Sequence, residues 1–116
     1  MNVYDQAHAL AASIKQSEEY REYERLREAA YSDETNKSLL NAYKKLQYKT
    51  QARFAAGDRA DEDDLKRLQQ IAALLQCNHD AGEYLMAEFR FQKMLADMYK
   101  ILADVAGIDL DMLISD

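Results

Sequence analysis

Proline is absent from this 116-residue sequence, and glycine occurs only at Gly57, Gly82 and Gly107. Sheet proteins turn often and recruit Gly and Pro to do so. The scarcity of both argues against a many-stranded fold and for a few long helices. Cysteine is nearly absent too. Cys77 stands alone, which excludes an intramolecular disulfide. No apolar run approaches the length of a membrane span. The opening Met1-Asn2-Val3-Tyr4-Asp5 has neither the basic start nor the apolar core of an export signal, so the expected compartment is the cytoplasm. An excess of basic residues is also missing. The net charge of -6 discourages a broad grip on DNA or RNA phosphates, and no DNA partner is expected.

What remains suits amphipathic helices: 48% hydrophobic residues to bury and 31% charged residues to keep the other faces wet. Apolar spacing predicts helices over about 3–16, 18–31, 34–56, 61–76 and 79–106, with a short turn over 109–114. Asn2, Ser17, Asp33, Asp61 and Asn78 stand where N-caps belong, with acidic residues in the turns that follow several of them. A helix running unbroken through Ser17 remains an alternative, since serine is tolerated inside helices. Gly57 and Gly107 each follow an apolar-periodic run, where a helix end favours a left-handed residue. Gly82, in the first turn of the last helix, marks either a close helix contact or a loose start. The expected fold is therefore all-α, a single domain over 1–116. It is a bundle of about five helices in which the long third and fifth form an antiparallel hairpin, and two chains join as a dimer.

The last helix carries the strongest signal. Phe91, Met94, Met98, Ile101 and Val105 recur at steps of three and four, and Leu85, Leu95, Tyr99, Leu102 and Ala106 follow the adjoining side. At 3.6 residues per turn the two stripes merge into an arc over more than half the circumference. One bundle needs only one such face, so the remainder is expected to meet a second copy of the chain. The candidate interface residues are Leu85, Glu88, Phe91, Met94, Leu95, Met98, Ile101, Leu102 and Val105. Glu88 falls inside the arc with Gln92. Either it meets an Arg or Tyr and sets helix register, or that part of the arc opens to solvent.

No residue pattern demands catalysis. His8 and His79 lie in separate segments without a positioned partner. Cys77-Asn78-His79-Asp80 offers too few ligands for zinc and reads better as a helix-cap turn. Asp61 to Asp64 lacks the glycine and the closing glutamate of a calcium loop, and acids at a helix start explain it. Lys44, Lys45, Lys49 and Arg53 cluster with Tyr43 and Tyr48. An RNA contact is conceivable there, but the acidic total favours a plain solvated face. No catalytic, cofactor-binding or metal residues are assigned, and no cofactor is expected.

Two stretches carry a resemblance. The first is Val3-Tyr4-Asp5 with Ala7, Leu10, Ile14 and Ser17-Glu18-Glu19-Tyr20. The second is Tyr84-Leu85-Met86-Ala87-Glu88, continuing through Phe91, Leu95 and Ile101-Leu102. In order and spacing the chain resembles the YlbF/YmcA family of small helical bacterial proteins, including its YheA-like members, over nearly its whole length. The resemblance implies a non-enzymatic helical protein that assembles with itself or its relatives. Members are linked to competence, sporulation and biofilm formation in Firmicutes, and some act in a complex that steers ribonuclease Y in messenger RNA processing. Some of those bind iron–sulfur clusters through several cysteines. Cys77 alone cannot supply such a set. The expected function is a cytoplasmic regulatory adaptor whose partners are a second copy, related family members or a ribonuclease. The alternatives are a small dimeric enzyme of mutase type, with Arg27, Arg53, Arg90 and Glu88 converging on a pocket, and a purely structural helical oligomer.

Overall fold

The computed structural model describes residues 2–108, and every described segment of regular structure is helical. The order is α1 (Val3–Gln16), α2 (Glu18–Tyr31), α3 (Glu34–Ala55), α4 (Glu62–Gln76) and α5 (His79–Val105). The turn expected over 109–114 lies outside the described residues.

Side chains close to the backbone in sequence set the helix starts. Asn2 Oδ1 accepts from the Asp5 amide at 2.9 Å, and the Asp5 carboxylate accepts from the Asn2 amide, a reciprocal capping box. Ser17 settles the question of continuity. Its backbone is extended (φ -68°, ψ 153°), so α1 ends there. Its hydroxyl donates to the Ile14 carbonyl at 2.6 Å and accepts from the Tyr20 amide at 3.2 Å, serving the end of one helix and the start of the next. Asp33 Oδ1 caps α3 through the Asn36 amide, and Asp61 Oδ1 caps α4 through the amides of Asp63 and Asp64. α3 stops at Ala55 because Ala56 becomes its C-cap and Gly57 takes φ +85°. The Gly57 amide donates to Phe54 O and the Asp58 amide to Arg53 O, the paired closure of a Schellman end. Gly107 (φ +73°) repeats it at the end of α5.

The chain divides into two compact units. One contains residues 24–85, that is most of α2, all of α3 and α4, and the first turns of α5. Its core is Leu26, Ala30, Leu40, Ile71, Leu75, Ala81 and Tyr84. Burial of such side chains is the main favourable term, on the order of 1.5–3 kcal/mol for each large one fully withdrawn from water. α3 and α4 form the antiparallel hairpin of this unit, tied near its turn by Lys49 Nζ to Asp64 at 2.8 Å. The expected pairing of α3 with α5 is thus corrected: the neighbour of α3 along its length is α4. The six residues between them permit an immediate return, and Leu40 of α3 and Ile71 and Leu75 of α4 are buried in the same unit. α3 does reach the start of α5 through side chains. Buried Asn36 donates from Nδ2 to Asn78 Oδ1 at 3.1 Å, and the same oxygen caps α5 by accepting from the Ala81 amide. Lys44 Nζ lies 2.8 Å from the hydroxyl of fully buried Tyr84, whose ring meets Tyr31 edge-on at 5.6 Å.

The other unit takes in the rest: α1, the first turns of α2 and α5 from Met86 onward. Aromatic rings hold it. Phe91 stacks on Tyr23 with centroids 5.0 Å apart and meets Tyr20 edge-on at 5.5 Å. α1 contains no buried residue; Leu10 and Ile14 are half-buried and Val3 is exposed.

Candidate interaction surfaces

α5 changes character along its length. Ala81, Tyr84 and Ala87 recur every third residue and are buried. Beyond Ala87 none of the described residues of α5 is fully buried. Phe91, Met94, Leu95 and Met98 are half-buried, as are Leu85 and Glu88. The last three residues of the expected interface are bare: Ile101 and Leu102 are each 59% exposed and Val105 is 89% exposed. At 100° per residue these three fall within about 100° of one another, on one face of the helix. Tyr99 and Phe89 are exposed elsewhere on it. In the same unit Val3 and Tyr4 stand open at the start of α1. Lys93 and Asp97 lie on the i,i+4 row that runs on to Ile101 and Val105; they pair at 3.7 Å, are both well exposed, and border the apolar face on its N-terminal side.

The other sequence candidates fall as follows. His8, His79 and Cys77 are exposed. No group of His, Cys, Asp or Glu among the described residues is arranged to hold a metal ion. Asp61 is held below the usual carboxylate pKa, first by the backbone amide of Asp64, then by that of Asp63, with smaller help from Arg53 and Lys49. That is the electrostatics of a helix start. Two open clefts lie in the residue 24–85 unit. One, of about 370 Å³, is lined by Glu24, Arg27, Glu28, Tyr31 and Lys37, with the Arg27 guanidinium 5.2 Å from the Tyr31 ring centre. The second, of about 500 Å³, runs between α3 and α4 and is lined by Ser38, Asn41, Ala42, Lys45, Leu46 and Arg67. Of Arg27, Arg53, Arg90 and Glu88, Arg27 is the one that lines either cleft. In the sequence Lys45 stands in a basic row along α3, and nothing there marks Arg67 as coming opposite, because no local pattern couples residues of two helices across a turn.

Residues 3–105 match the family model described as control of competence regulator ComK, YlbF/YmcA. The chain belongs to this family. A UPF0342 protein of Caldicellulosiruptor bescii is 35% identical over 103 residues, 89% of this chain and 87% of the relative. Another UPF0342 protein, from Halothermothrix orenii, is 36% identical over 102 residues, 88% and 86% of the two chains. Among solved structures, a protein of unknown function (DUF964) from Bacillus stearothermophilus superposes with a TM-score of 0.76 over 97% of this chain and 96% of that one, at 19% identity. RicA of Bacillus subtilis, solved in complex with RicF, gives 0.59 over 90% and 93% at 18% identity. These two likenesses establish the all-helical fold. None of these descriptions names an enzyme. In this family member, no helix among the described residues is long and apolar enough to cross a membrane.

Proposed function

We propose that this chain is a non-enzymatic regulatory adaptor that works in the cytoplasm through protein contacts, first of all with a second copy of itself. The observation that carries the reading is the bare apolar end of α5. Contiguous exposed apolar surface on a soluble protein is a mark of an interaction site. Ile101, Leu102 and Val105 form such a surface, and half-buried Met94 and Met98 continue it toward the N-terminus of the helix. Methionine suits a surface that must adapt to more than one partner. The proposed interface remains the set Leu85, Glu88, Phe91, Met94, Leu95, Met98, Ile101, Leu102 and Val105, with the last three as its anchor. The family description, which names a regulator, and the capture of RicA with RicF support an adaptor that acts on other proteins. Related family members and a ribonuclease are the partners proposed beyond self-association.

Sedimentation tests it directly. The wild-type chain is expected to sediment as a dimer or larger at micromolar concentration. An Ile101→Glu, Val105→Glu double variant is expected to sediment as a monomer with unchanged helical content, since both side chains are exposed for most of their surface. A wild-type protein that stays monomeric across the accessible concentrations removes self-association from the reading.

A further inference from the structure

We propose that the groove between α3 and α4 is a second docking site, for a segment of a partner protein that carries carboxylates beside apolar side chains. It deepens the adaptor reading and rests on it, but it uses a different surface. The argument begins with the ion pair near the hairpin turn. Lys49 on α3 meets Asp64 on α4. In an antiparallel pair, one turn back along α3 and one turn on along α4 bring Lys45 and Arg67 to the equivalent place. An ordinary ladder puts opposite charges there. This hairpin puts two cations on one groove, and neither forms an ion pair among the described residues. Among the described residues no carboxylate lines the groove, although acids outnumber bases by 21 to 15 in the sequence. Like charges facing a common cleft repel, and the repulsion turns to attraction when an anion enters.

The rest of the lining selects the kind of anion. Ser38 and Asn41 add neutral hydrogen-bonding groups on the same stripe of α3, at steps of three and four that lead to Lys45. Ala42 and Leu46, both half-buried, give the groove an apolar floor. A free phosphate has no use for that floor. A nucleic acid brings many phosphates to a chain of net charge -6, and among the described residues no aromatic ring lines the groove to stack a base. A peptide helix with a few carboxylates beside a leucine matches both parts, its apolar residue on Ala42 and Leu46 and its acids on Lys45 and Arg67.

The test uses the full chain labelled with 15N and three probes: a short labelled peptide of Glu and Leu in helical spacing, the same peptide with Gln for Glu, and oligouridylate. The Glu peptide is expected to bind, to weaken as salt is raised, and to move the amide signals of Ser38, Asn41, Lys45, Leu46 and Arg67. A Lys45→Glu, Arg67→Glu variant should lose about tenfold in affinity, while Lys45→Arg, Arg67→Lys keeps most of it. Equal binding of the Gln peptide, preference for oligouridylate, shifts outside the groove, or no binding of the Glu peptide overturns the proposal. Sedimentation of the charge-reversed variant should match that of wild type. A failure here is thereby distinguished from a failure of self-association through α5.

Discussion

At the scale of single residues, the informative positions are those where one atom decides the energetics. Thr50 Oγ1 is buried and has no hydrogen-bond partner among the described residues. A withdrawn hydroxyl without a partner loses its water for nothing in return. Thr50→Val keeps the shape and removes the hydroxyl, so stability should rise by about 1 kcal/mol, read as a higher midpoint in urea. The glycines divide by conformation. Gly57 has φ +85° with open space around it, so Gly57→Ala meets no atom but must hold a strained backbone, at a loss of about 1 kcal/mol. Gly82 lies within α5, and a Cβ there meets two carbonyl oxygens at 3.9 Å, ordinary contact. Gly82→Ala should therefore stabilise by about 0.5–1 kcal/mol, so the two substitutions shift the thermal midpoint in opposite directions. Sequence alone anticipated the role of Gly57 from its place after an apolar run. It left Gly82 open, because nearness of another segment is not written in local spacing.

At the scale of the helix, capping explains why the elements start where they do. α4 is the sharpest case: Asp61 accepts from two amides, and Glu62, Asp63 and Asp64 load its first turn with negative charge. These amides favour the ionised form, and the folded-state pKa is lowered. A lowered carboxylate pKa contributes stability that is complete above the unfolded value and is lost as pH falls through the folded one. Acid titration followed by far-UV circular dichroism should show helix loss in the range below the ordinary carboxylate pKa. Asp61→Asn, which retains the accepting oxygen, should titrate with a shallower acid limb. Periodicity was a less complete guide than capping. Leu40 and Leu75 are buried, yet Phe54 and Leu74, no less apolar, are 75% and 58% exposed. Phe54 is in the last turn of α3, where the hairpin with α4 is already turning, and no helix neighbour is guaranteed by the pattern itself.

At the scale of the molecule, the two units differ in how much they bury. The unit of residues 24–85 has an aliphatic core with Tyr84 and Asn36 bonded inside it, whereas no residue of α1 is more than half-buried. Local opening is easiest where few apolar contacts must break. Amides of α1 should exchange with solvent at least about tenfold faster than those of α3 and α4 in dilute protein. If a second copy covers this region, protection in α1 should grow with concentration while that in α3 and α4 stays constant, which links exchange to the sedimentation result.

The helices and their ends are written locally along the chain. A cap, a Schellman glycine and a run of apolar residues at three and four act over a single turn, and Asn2, Ser17, Asp33, Gly57, Asp61 and Asn78 all do locally what their types allow. Which apolar faces are covered and which charges meet follows from the packing of helices distant in the chain. Burial of Tyr84, exposure of Val105, and the approach of Lys45 to the groove of Arg67 each depend on residues far away in the chain. Their proximity is set by the packing of whole helices, and short-range spacing carries no information about it.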